Sequence, residues 1–107
     1  MNNEKQRIAI AEACGWTVIN GYLCHIKTNR NGAEEVATIA PLPDYLNDLN
    51  AMHEAEKVLS REQLDSYIFE MHEIIGHNHI ERYVVTATAA NRAEAFLRTI
   101  GKWEDEA

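Results

Sequence analysis

Apolar residues recur at helical spacing in two consecutive runs through the middle of the chain. Tyr45, Leu49, Met52 and Leu59 make one stripe; Leu64, Tyr67, Ile68, Met71, Ile74 and Ile75 make the next. Pro43 suits the first turn of a helix and Asp44 its positive end, so the first stripe predicts a helix entered near Pro43. The second helix is bounded more sharply. Ser60 and Gln63 have the spacing of a capping box, and Gly76 is placed to stop the helix. The reading takes Ile68 as the centre of its buried side. It predicts burial of Tyr45, Leu49, Met52, Leu64, Ile68 and Met71.

The flanking segments read less strongly. Asn2 or Asn3 caps a first helix from Glu4 to about Cys14, with Ile8, Ala11 and Cys14 inward and Gly15 ending it. Trp16 then packs back on that helix. Tyr22–Thr28 and Glu35–Ala40 read as strands around Asn31-Gly32, and Ile80–Thr86 reads as a third. Thr88 caps a last helix running to about Ile100, with Ala93, Phe96, Leu97 and Ile100 inward. The order α-β-β-α-α-β-α over 107 residues predicts a single domain of the α+β class. Four helices and about three mainly antiparallel strands are expected. Helices on both faces of the sheet give a three-layer α/β/α sandwich; helices on one face give two layers.

Charge changes this picture by its placement. The net charge is -7, and residues 44–76 carry eight acids against two bases. Residues 1–43 are balanced. An acidic field repels phosphates, which argues against direct nucleic-acid binding. No apolar run approaches the ~20 residues of a membrane span, and the first residues lack a secretory pattern. Cys14 and Cys24 are too few for a disulfide framework. The expected location is a reducing cytosol, with no membrane association.

Three blocks resemble a known family. They are Pro43–Leu59 (PDYLNDLNAMHEAEKVL), Thr88–Trp103 (TAANRAEAFLRTIGKW) and Ile10–Thr17 (IAEACGWT). Together they are similar to the phage ABA-sandwich domain, found in small phage and prophage proteins of unassigned function. The resemblance covers less than half of the chain. It implies a three-layer α/β/α fold and a phage or prophage origin. It implies no reaction and no catalytic residue. Asn91 stands where such proteins often carry Gln, which removes one half of a capping box.

Candidate chemistry is sparse. His72 and Glu73 with His77 imitate a zinc-protease helix, but the histidines are five apart rather than four. That spacing turns the second imidazole by about 140° around the helix. His72, His77 and His79 form a weaker metal candidate. No metal, cofactor or catalytic set is expected. Glu56 falls near the centre of the first apolar stripe with His53 one turn before it. It must therefore be paired or reach water, either as a rim pair or as an acid/base pair. The acidic side of the second long helix is the stronger lead. Glu62, Asp65, Phe69 and Glu73 share one side, where an aromatic framed by carboxylates suits a basic protein patch.

Three function classes follow. The first is a non-enzymatic phage accessory protein that binds and modulates a host or phage macromolecule, for instance against a defence factor, through that acidic face. The second is a binder of a nucleotide signal, with Tyr22, Tyr45, Trp16 or Trp103 stacking and Arg30, Arg82, Arg92 or Arg98 meeting phosphates. The third is a small hydrolase built on His53, Glu56 and the His72–His79 cluster. A homodimer is compatible with all three.

Overall fold

The computed structural model describes residues 1–76 and 87–105; His77, His79, Arg82 and the strand expected at Ile80–Thr86 lie outside them. Among the described residues the chain is α+β. Its elements are α1 (Asn3–Ala13), β1 (Thr17–Ile19), β2 (Tyr22–Thr28), β3 (Glu34–Pro41), α2 (Leu49–Glu56), α3 (Arg61–Ile75) and α4 (Ala89–Thr99). The three strands form an antiparallel sheet in the order β1-β2-β3.

Local chemistry explains the boundaries. The Asn2 side chain accepts from the Lys5 N–H and starts α1. Asn20 and Gly21 both have positive φ, 51° and 81°, the backbone of a two-residue hairpin turn that joins β1 to β2. The β2–β3 connection is longer. Asn29 Oδ1 accepts from the N–H groups of Asn31 and Ala33, and Gly32 takes the left-handed position. A bulge shifts the β2–β3 register between His25 and Ile26. Arg7 then ties α1 to the chain leaving β3, donating from Nε to the Pro43 carbonyl and from Nη2 to the Leu42 carbonyl, at 3.0 and 2.9 Å.

The first long helix begins later than the apolar stripe predicts. Asp44 organises a turn, accepting from the N–H groups of Asn47 and Asp48. Asp48 is the true cap, with its carboxylate taking the Asn50 and Ala51 N–H groups. Leu49 is therefore the first helical residue and lies exposed, while Tyr45 is buried from the turn. The capping box of α3 is present in both halves: Gln63 N donates to Ser60 Oγ, and Ser60 N donates to Gln63 Oε1.

One core joins these pieces. Ile10 of α1, Leu23 of β2, Tyr45, Met52 of α2, Tyr67 and Met71 of α3, and Phe96 and Leu97 of α4 belong to it. Helix α4 packs against α1, α2 and α3, and α1 packs against β1. A second helical layer on the far face of the sheet is not seen among the described residues. Two further burial expectations fail, at Leu64 and Ile68, which are both exposed. Among the described residues α3 packs mainly on α4, and it buries a narrow seam at Tyr67, Met71 and the partly covered Ile74.

Candidate functional site

The seam that buries α3 decides where its acidic side points. On an ideal projection Phe69 stands about 160° around the helix from Tyr67 and from Met71, away from the seam, with its ring reaching the rim of the groove toward α4. Glu62, Asp65 and Glu73 fall within about 40° of it on the same helical projection. All four expected contact residues are exposed, Phe69 at 59%. Taking Ile68 as the buried centre placed them on a flank; in the structure they form the outward face itself. Leu64 and Ile68, left uncovered by the narrow seam, expose apolar surface between that face and the seam, about 140° and 100° around the helix from Phe69. Among the described residues neither Glu62 nor Asp65 joins an ion pair.

On one margin the face runs into an open groove of about 510 Å³ between α3 and α4. Phe69, Glu70, Glu73 and Ile74 line one side, and Glu94 and Arg98 the other. Arg98 is already committed. Its Nε donates to Glu94 Oε2 at 2.9 Å, Nη2 lies 3.6 Å from Asp105, and the guanidinium sits 5.1 Å from the Trp103 ring centre. The Glu94 hydrogen bond, then the charges of Glu94, Asp105 and Glu70, push its pKa up. The groove thus holds three carboxylates and one arginine that two acids already share.

A second polar cluster lies between α2, α3 and α4. Glu56 Oε1 is 3.2 Å from His53 Nδ1 and 3.4 Å from Arg92 Nη1. Arg92 Nε also donates to the Ala87 carbonyl. The Glu56 and Arg92 side chains are largely covered, whereas His53 is half exposed. Tyr67 is buried beside this pair, and among the described residues its hydroxyl is left without a hydrogen-bond partner. Burial, then the Glu56 charge, pushes the Tyr67 phenol far above its ordinary value. The sequence required a partner for Glu56 and offered His53. It missed Arg92, which comes from a helix 36 residues further on and which charge neutralisation alone does not single out.

The other candidates are dispersed. His72 is on α3, and among the described residues no three His, Cys, Asp or Glu side chains gather to hold a metal ion. Cys14 and Cys24 are free thiols. Trp16 packs edge-on against His25. Among the described residues no helix is long and apolar enough to cross a membrane. Comparison with known proteins finds no matching family, no matching characterised protein and no matching solved structure.

Proposed function

We propose that the protein is a non-enzymatic binding module that docks a basic protein surface on the outward face of α3. One observation carries this reading: Phe69 is exposed at the centre of a helix face whose neighbours Glu62, Asp65 and Glu73 are all acidic and exposed. Helix formation does not call for that arrangement, since balanced i,i+4 pairs stabilise a helix better than an excess of one sign. A single-sign face steers an oppositely charged partner, and a protruding ring gives it something to grip. The groove beside Phe69 extends the same surface with Glu70 and Glu94.

The resemblance to the phage ABA-sandwich domain supports a phage or prophage origin and action in the host cytoplasm, against a host regulatory or defence protein. Nucleotide binding has less support. Arg92 and Arg98, two of the arginines that reading needs, are engaged by Glu56 and Glu94.

The test begins with affinity capture from infected host lysate and mass spectrometry of what is retained. With a partner in hand, a combined Glu62→Gln, Asp65→Asn, Glu73→Gln variant is expected to associate more slowly and with a flatter salt dependence. Phe69→Ala is expected to raise the dissociation rate by the equivalent of ~1–3 kcal/mol. Unchanged rates in both folded variants place the contact elsewhere.

A further inference from the structure

Among the described residues the core uses one face of the sheet and leaves the other, and register sorts the paired positions between them. Val18, Leu23 and Ala40 stand in one row across the three strands, and all three pack into or against the core. Alternate rows point the opposite way. There Ile19 stands beside Tyr22, Cys24 beside Ile39, and beyond the bulge Ile26 beside Val36; of these Cys24 alone is buried. The rows that these residues complete hold no charged side chain, and the next outward pair, Thr28 and Glu34, puts one acid at the far end of the face. Ile39 is 67% exposed, Tyr22 51% and Val36 50%. An antiparallel sheet that faces water alternates apolar-in with polar-out. Here the outward rows are as apolar as the inward ones, the mark of a surface that is covered in use.

We propose that this face pairs two copies of the chain, sheet against sheet about a twofold axis. Charge placement selects a second copy as the occupant. Most of the net charge of -7 lies in residues 44–76, on the helices. Between Thr17 and Pro41 the charged residues are Lys27, Arg30, Glu34 and Glu35, which cancel. Two copies meeting here keep their acidic helices apart, and apolar rows with a single acid, Glu34, at one end offer little to draw in a charged partner. A twofold contact presents the same apolar rows from both sides, and packed sheets stack about 10 Å apart.

The size of the face sets the strength of the pair. Strands β2 and β3 have 7 and 8 residues. At ~3.4 Å per residue and ~4.8 Å between strands, with β1 alongside, they cover about 300 Å² in projection. A standard interface removes ~800 Å² per partner, so a face of this size makes a weak, reversible dimer.

Sedimentation velocity from about 1 to 500 µM tests this, at neutral pH and physiological salt. The expected result is a monomer–dimer equilibrium that Ile39→Glu weakens by at least ~10-fold, with Val36→Lys acting in the same direction. Both positions are exposed in the single chain, so circular dichroism and melting temperature are expected to stay near those of the parent. The combined Glu62, Asp65 and Glu73 variant is expected to dimerise as the parent does. A monomer at every concentration overturns the proposal, as does a dimer indifferent to Ile39→Glu. Should either variant misfold, mixed-label NMR of the unaltered protein decides. Intermolecular NOEs at Ile26, Val36 and Ile39 support the pairing; NOEs confined to α3, or a different protein seated on Ile39 while the chain stays monomeric, overturn it.

Discussion

Replacing Tyr67 with Phe removes one oxygen from the most crowded part of the molecule and nothing else. The ring is buried where α3 meets α4, and Phe keeps its packing. The lost hydroxyl is buried without a hydrogen bond, a state that costs roughly 1–3 kcal/mol. Tyr67→Phe is therefore expected to stabilise the fold by about 1 kcal/mol, which raises the melting temperature by ~4 °C for a domain of this size. A second signature appears at alkaline pH. The folded-state pKa values of Tyr67 and Tyr45 are raised, Tyr45 to about 12 by burial and then the nearby Cys14. Above the unfolded value near 10, the unfolded chain releases protons that the folded chain keeps, so stability falls as pH rises. Each tyrosine contributes a slope of about 1.4 kcal/mol per pH unit, or ~2.7 for the two. Tyr67→Phe is expected to remove one tyrosine's share, about 1.4 kcal/mol per pH unit, from that slope between about pH 10.5 and 11.5. Cys14, raised by burial, adds the same sign from lower pH and cancels in the comparison. Urea titrations of both proteins at pH 7, 10.5 and 11.5 supply the numbers. A variant less stable than the parent by more than ~0.5 kcal/mol at pH 7, or an undiminished alkaline slope, refutes the reasoning, because the hydroxyl would then be hydrogen-bonded to Glu56, Arg92 or an ordered water.

Phe96→Ala, which empties a fully buried site on α4, is expected to cost ~3–5 kcal/mol, whereas Phe69→Ala on the outward face changes stability by less than ~1 kcal/mol; paired denaturant melts compare them. Ser60→Ala breaks one half of the capping box and is expected to cost ~1 kcal/mol, with Ser60→Asp restoring most of it. Arg7→Ala frees the chain after β3 from its two charged hydrogen bonds, and faster hydrogen exchange is expected around Leu42 and Pro43 together with a loss of ~2 kcal/mol. Purified protein is expected to hold no stoichiometric zinc by elemental analysis; one zinc per chain, lost in His72→Ala, reverses that expectation.

Boundaries set by short-range chemistry were the most legible part of the fold. Ser60, Gln63 and Gly76 lie within or beside the helix that they delimit, and α3 begins and ends where they require. Strand β1 was missed because three residues carry no periodicity, although the Asn20-Gly21 dipeptide was a usable sign of it. The face of α3 was misread for a different reason. Six apolar residues on one helix define an arc wider than a single neighbour covers, and only the position of α4 shows that Tyr67 and Met71, rather than Leu64 and Ile68, are the seam. That error mattered little for the candidate site, since turning the seam away from Ile68 turned Phe69 and its carboxylates further outward. Glu56 shows the opposite limit. Its need for a partner is local and readable, while the identity of Arg92 depends on how α2 and α4 cross.

The place of α4 after the other helices has a consequence for the order of assembly. This helix is the neighbour that α1, α2 and α3 share, yet it follows all three, beginning at Ala89. A ribosome adding ~5–20 residues per second exposes the earlier helices for seconds before their common partner emerges. Until then the apolar sides of α1, α2 and α3 stay open to chaperones and proteases. A product truncated ahead of Ala89 cannot assemble this core, so quality control of the fold rests on the synthesis of one helix.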